Sequence, residues 1–299
     1  MIYILPANQS SKTTAGVYKF AHNAMATVFE VYINHPDKKY AEKAAIESFK
    51  LLEILEQELS YFIENSDVSR INNSAVNETI GIGHNCTYCI GKAIEYKKKS
   101  FGAFEPCTGF LKNRSFAGKQ KPVSINQKLE LFPSDCRVKI LEAPVYLDLG
   151  GIGKGYAIDK IRELLEDWDL NDFMIHGGFS SVLGVGNFPG IKGWPVNIRE
   201  PGNEKQIIKK ISLHNNSISS SGLQKGGHIF DPRNGEIVAN NRTTWIIGGD
   251  AVITDCISTA AMILSLTEIE ELTSAIPDSS AIVLDQNRYK VSYFGFKNL

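Results

Sequence analysis

"TVFEVYIN" at Thr27–Asn34 alternates apolar and polar residues and is rich in β-formers, which predicts a strand with one buried face. The next stretch, "HPDKKYAEKAAIESFKLLEILEQELS", changes period. Ile46, Phe49, Leu52, Leu55 and Leu59 recur every three to four residues and predict one apolar face of a long helix. "VYLDLGGIGKGYAIDKIRELLED" reads as strand, glycine loop and helix, with Val145, Leu147 and Leu149 on one strand face and Asp148 on the other. "FMIHGGFSSVLGVG", "WPVNIRE" and "TTWIIGG" read as further strands with tight turns. "DAVITDCISTAAMILSL" predicts an apolar helix with Asp250 as N-cap, and Thr267 with Glu270 has the pattern of a capping box for the helix after it. "SAIVLD" and "RYKVSYFGF" predict a closing hairpin around Asp285–Arg288.

Strands and helices mix without regular alternation. That predicts an α+β fold, with mixed or antiparallel sheets and packed helices, rather than a doubly wound parallel sheet. Residues 1–22 are expected to be a peripheral N-terminal segment and residues 23–299 a single domain. There is no internal repeat or low-complexity tract.

The 299 residues carry a formal net charge of −1, which excludes a broad nucleic-acid footprint and leaves any anionic ligand to a local site. Apolar content of 43% and charged content of 22% are those of an ordinary globular protein. No run reaches the roughly 18 apolar residues of a membrane span. With neither an export signal nor a lipidation motif visible, a cytoplasmic location is expected. The five scattered cysteines imply reduced thiols. "HNCTYC" at His84–Cys89 has no second Cys/His pair to complete a zinc site, so its cysteines are expected to be buried residues near a helix start.

Three places could carry chemistry. "DLGGIGKGYAID" at Asp148–Asp159 puts glycines and Lys154 between strand and helix, where exposed amides could cradle an anion. It also reads as a tight turn that needs glycine. It is not a Walker A loop: Asp148 stands where the first glycine belongs, and no Ser or Thr follows Lys154. In "TDCIST", Asp255 and Thr259 are four apart and share one side of a helix. Such hard oxygen donors suit Mg²⁺, or else Asp255 answers the helix dipole and Thr259 bonds back to a carbonyl. In "GGHIFDPRNG", Pro232 holds Asp231 extended and a turn follows, so His228, Asp231 and Arg233 sit on a stiff segment. His228 could move a proton there and Asp231 could orient or bind.

Shorter polar-and-aromatic segments complete a series: "MAT", "LSYFIENSDVSRIN", "FGAFEPCTGFL" and "SISSSG". In this order, from Met25 to about Leu266, the series resembles the FAD:protein FMN transferase (ApbE) family. "LDLGGIGKGYAID", "HIFDPRNG" and "TDCIST" are its most specific parts. The resemblance implies a T-fold-like, two-lobed single unit. It implies binding of FAD and Mg²⁺, and transfer of the FMN moiety to a threonine or serine of an acceptor flavoprotein in trans, with release of AMP. By the same resemblance Met25, Phe62, Ala103, Phe104, Glu105, Asp148, Lys154 and Phe230 would contact FAD. Gly151, through its backbone carbonyl, would ligate Mg²⁺ with Asp255 and Thr259. His228 and Asp231 would flank the nucleotide and the incoming hydroxyl. The chain departs from the family pattern in Ala26 for glycine, Phe62 for tyrosine and Glu105 for aspartate. An FAD pyrophosphatase and a non-catalytic FAD-binding protein remain as alternatives.

Overall fold

Thr27–Asn34 forms the strand its alternation predicts: Phe29, Val31 and Ile33 are fully buried and the residues between them are not. Each such side chain contributes about 1.5–3 kcal/mol on burial. The computed structural model describes residues 2–4, 16–109, 124–178, 180–222, 229–238 and 241–296. In chain order the elements are β1 (Ile2–Ile4), β2 (Val17–Ala24), β3 (Thr27–Asn34), α1 (Lys38–Leu59), α2 (Asp67–Asn73), β4 (Thr79–Gly81), α3 (His84–Lys99), α4 (Ile125–Lys128), β5 (Leu129–Phe132), β6 (Arg137–Ile140), α5 (Gly153–Asp167), β7 (Phe173–Gly177), β8 (Ser181–Val185), β9 (Trp194–Glu200), β10 (Asn203–Leu213), β11 (Asn216–Gly222), β12 (Ile229–Asp231), β13 (Glu236–Val238), β14 (Arg242–Gly248), α6 (Ala251–Ala261), α7 (Leu266–Ala275), β15 (Ser280–Asp285) and β16 (Lys290–Phe294).

One antiparallel sheet of eight strands organises the molecule, in the order β16-β15-β14-β11-β8-β7-β3-β2. Its central strands are buried on both faces, so all five residues of β7, His176 among them, are buried rather than every second one. Phe173 and Ile175 enter a core shared with α1, α5 and α6, while Met174 between them enters a second core. That second core lies under the three-stranded sheet β1-β9-β10 and holds Trp194 and Trp245. The α+β class and antiparallel sheets are as the sequence predicts. Among the described residues no helix is long and apolar enough to cross a membrane.

Four details differ from the sequence reading. The described residues of the segment 1–22 are more than peripheral: Ile2 in β1 is fully buried against β9, and β2 pairs with β3 along its whole length. On α1, Ile46 is 47% exposed; the buried face runs through Ala41, Ala44, Ala45 and Ser48 into Leu52, Leu55 and Leu59. Small residues at that spacing form as good a stripe as large ones and let α5 approach closely. The helix α7 starts at Leu266, which puts Thr267 inside its first turn, so the capping box belongs to Ser265 and Glu268 instead of Thr267 and Glu270. Residues 145–149 join no sheet ladder, although Val145, Leu147 and Leu149 are buried and Asp148 is turned away from them as expected.

Candidate active site

The segment before the glycine loop is held by side chain and loop backbone where a strand would use a neighbouring strand. Asn72 Nδ2 donates to the Leu147 carbonyl at 2.9 Å, and the Leu147 amide donates to Asn72 Oδ1 at 2.6 Å. The Asp148 amide donates to the Pro106 carbonyl at 2.7 Å. Asp148 is thereby fixed at the loop entrance, where its Oδ1 accepts the Gly150 amide at 3.0 Å.

The glycines of the loop are there for close approach. A Cβ on Gly151 would lie 3.1 Å from Phe104 Cε2 and 3.4 Å from Thr259 Oγ1. On Gly155 it would lie 2.2 Å from the Ala251 carbonyl oxygen, so α5 and α6 cross backbone to backbone. At that crossing Asp255 is buried and its carboxylate accepts two hydrogen bonds. Its Oδ2 accepts the Gly155 amide at 2.9 Å, its Oδ1 accepts the Ser181 hydroxyl at 2.9 Å, and Lys154 Nζ stands 3.8 Å from Oδ2. One turn on, Thr259 Oγ1 donates to the Asp255 carbonyl at 3.2 Å.

Above these groups opens a cleft of about 710 Å³. Ala103, Phe104, Glu105, Asp148, Gly151, Lys154, Phe230 and Thr259 all line it. A smaller hollow of about 160 Å³ adjoins it, sharing Asp148, Gly150 and Lys154 and bounded by Met25, Tyr61 and Phe62. Met25 and Ala26 turn the β2–β3 hairpin with φ of 51° and 57°. Two left-handed residues in a tight hairpin are the setting that favours glycine, so Ala26 adopts a conformation more costly for it than for glycine.

Two carboxylates predicted to serve the site have charged partners within the chain. Glu105 pairs with Lys97 and accepts the amides of Cys107 and Ile125, so its carboxylate braces the cleft wall. Asp231 is gripped by the Arg233 guanidinium and amide, at 2.8 and 2.9 Å, and Arg233 also reaches Glu268. Burial raises the Asp231 carboxyl, but the hydrogen bonds and charge of Arg233 outweigh it and the net shift is downward. Phe230 and Pro232, on either side of Asp231, face the cleft. His228 lies outside the described residues.

Sequence reasoning missed Asn72 as a clamp, Ser181 as a partner of Asp255, and Asp159. Burial pushes the Asp159 carboxyl up to about 7, against hydrogen bonds from the Val252 and Ala251 amides that pull it down. It also missed Thr243, which lines the cleft with a buried hydroxyl that has no partner among the described residues. The cysteines are free; Cys86 and Cys89 are buried, and burial raises both thiols.

The ApbE family profile matches residues 25–283, a span that takes in every part of this site. The chain belongs to the ApbE family. It is 25% identical over 255 residues to the FAD:protein FMN transferase of Haemophilus influenzae, covering 75% of this chain and 73% of that protein. It is 22% identical over 280 residues to the enzyme of the same name from Escherichia coli K12, covering 83% and 78%. In three dimensions it resembles the ApbE protein of Thermotoga maritima, with a TM-score of 0.78 at 21% identity over 93% of this chain and 97% of that one. The flavin transferase ApbE of Vibrio cholerae gives the same TM-score of 0.78 at 17% identity, over 93% and 96%. The ApbE fold is thus shared across nearly the whole length of both structures.

The donor set can be tested against a divalent cation on its own chemistry. Asp255 and Thr259 present a carboxylate and a hydroxyl one turn apart, and the close approach of Gly151 to Thr259 brings loop backbone beside them. Such oxygen donors suit a hard cation of the Mg²⁺ type. Among the described residues no cluster of three or more His, Cys, Asp or Glu could hold a metal ion by itself, so backbone and hydroxyl oxygens would have to complete any such site.

Proposed function

We propose that this protein transfers the FMN moiety of FAD to a threonine or serine hydroxyl of an acceptor protein in trans, releasing AMP, with Mg²⁺ as cofactor. Its family and fold make it a flavinyltransferase; the acceptor class, the metal and the leaving group are our reading. The observation that carries it is the convergence of Asp148, Gly151, Lys154 and Thr259 on one cleft, with the buried Asp255 carboxylate 3.8 Å behind Lys154 Nζ.

The cleft and the smaller hollow meet at Asp148, Gly150 and Lys154, which suits a long ligand with a charged middle. The pyrophosphate lies there, beside the Lys154 ammonium and the loop amides. The isoalloxazine lies in the hollow against Met25 and Phe62. Asp255, Thr259 and the Gly151 carbonyl would hold Mg²⁺, which when bound would offset pyrophosphate charge. The acceptor oxygen forms a bond to the phosphorus of the FMN half. The bond from that phosphorus to the bridging oxygen breaks, and AMP leaves carrying that oxygen. The hydroxyl proton passes to His228, which directly precedes β12 in sequence. Positioning and charge neutralisation supply most of the acceleration in such transfers.

The test is AMP release from FAD with Mg²⁺ and with EDTA, together with the intact mass of an acceptor domain. Mg²⁺-dependent AMP and an FMN-sized mass gain are expected, and Asp255→Ala abolishes both. AMP with free FMN and no mass gain would make the protein a hydrolase. FAD retained without any AMP would make it a binding protein.

A further inference from the structure

Asp159 lines neither hollow, yet it is placed to govern the helix that carries Asp255 and Thr259. The helix α6 begins behind Asp250, which stands at the N-cap position without a side-chain cap hydrogen bond. Its first amides are taken by another helix: the Ala251 amide donates to Asp159 Oδ1 at 2.8 Å and the Val252 amide to Oδ2 at 2.8 Å. Ala251 and Val252 are buried, at 0% and 2% exposure, so water cannot replace a lost acceptor there.

The same exchange runs the other way. The Gly155 amide, in the first turn of α5, donates to Asp255 Oδ2 at 2.9 Å. Each helix therefore receives the other's carboxylate at its positive end. Asp159 follows Gly155 by one turn on the same face of α5, and Gly155 is where the two backbones touch. Three contacts thus fix α6 against the glycine loop. One hydrogen bond joins Gly155 to Asp255, inside the site itself; the other two end on Asp159, outside it.

From this we infer that Asp159 is a positioning residue: it sets the height of Asp255 and Thr259 against Gly151 and so the affinity of the site for a divalent cation. The inference rests on the metal reading above. Without Asp159, two buried amides at the start of α6 have no acceptor, and the helix shifts or frays to expose them. Asp255 and Thr259 move with it.

The test uses the full-length protein and Mn²⁺ alone as probe, with bound metal counted from the loss of the free Mn²⁺ resonance. Asp159→Ala is expected to raise the Mn²⁺ dissociation constant about tenfold or more, as loss of an outer support to metal ligands does. Asp159→Asn, which keeps one acceptor oxygen, is expected to fall between Asp159→Ala and the parent. Amide hydrogen exchange is expected to accelerate at Ala251 and Val252 in both variants. Leu284→Ala serves as control: it opens the second core on the far face of the sheet, lowers Tm and leaves Mn²⁺ affinity near that of the parent.

An Asp159→Ala protein that binds Mn²⁺ as the parent does, or no worse than Leu284→Ala, overturns the inference. If Asp159→Ala is insoluble, Asp159→Asn decides, and affinity equal to the parent's overturns the inference as well. Failure of the parent itself to bind Mn²⁺ would sink the metal assignment and this inference with it, and is told apart because it appears before any substitution.

Discussion

Asn72 grips both backbone groups of Leu147, donating to its carbonyl at 2.9 Å and accepting from its amide at 2.6 Å. One side-chain amide here does what a neighbouring strand does for a ladder residue. Asn72→Ala removes both hydrogen bonds and is expected to cost on the order of 2 kcal/mol of stability. Because Asp148 is the next residue, FAD affinity should fall too. Urea denaturation and flavin-fluorescence titration of the variant check the two effects; a stability loss with unchanged FAD affinity would separate Asp148 from the flavin.

Gly155 sits inside α5, where alanine ordinarily stabilises by up to about 1 kcal/mol. The clash of a Cβ 2.2 Å from the Ala251 carbonyl oxygen decides the sign, since the opposing atom is backbone and cannot swing aside. Gly155→Ala is expected to lose about 3 kcal/mol, at the upper end of overpacking costs. A urea midpoint equal to that of the parent would mean the helices separate freely at this crossing.

Phe62 is 76% exposed, so its ring contributes little to the fold. Phe62→Ala is expected to leave stability within about 0.5 kcal/mol of the parent. FAD affinity should drop by on the order of 1 kcal/mol if the ring stacks on the isoalloxazine. Equilibrium dialysis against FAD reads the second effect, and an unchanged dissociation constant would place the flavin elsewhere.

His176 is buried in β7, and burial pushes its imidazole from 6.5 down to about 4, with Lys19 adding to the effect and Glu30 opposing it. The unfolded chain takes up a proton near the ordinary value while the folded chain refuses it. Stability is therefore complete above 6.5 and is lost as pH falls from 6.5 towards about 4. The gap between those values amounts to ~3 kcal/mol. His176→Leu should flatten this part of the acid profile, read as the urea midpoint at successive pH values; a slope matching the parent's would assign the acid loss to other groups.

Local chemistry was legible in the sequence and long-range partnership was not. The glycine loop, the four-residue spacing of Asp255 and Thr259 and the stiffness of the Phe230–Pro232 segment follow from rules that act within a few residues. Periodicity placed α1 but chose Ile46, because an apolar scale ranks isoleucine above the alanines that pack against the core. Alternation put Asp148 on the correct side of a segment that is nonetheless no strand, because its partners are the Asn72 side chain and the Pro106 carbonyl. Asp159 closes the motif at Asp148–Asp159, but nothing local gave it a role. Its partners are 92 and 93 residues away, and an aspartate within a helix reads as an ordinary surface residue.

The hydrogen bond from Gly155 to Asp255 spans 100 residues of chain. At ribosomal speeds that separation corresponds to about 5–20 s of synthesis. Throughout that interval the nascent glycine loop has no counter-carboxylate, and Asp159 has no amides to hold. The two halves of the site are born apart and meet only when β14 and α6 emerge, so a chain stalled before α6 carries a cleft without its floor.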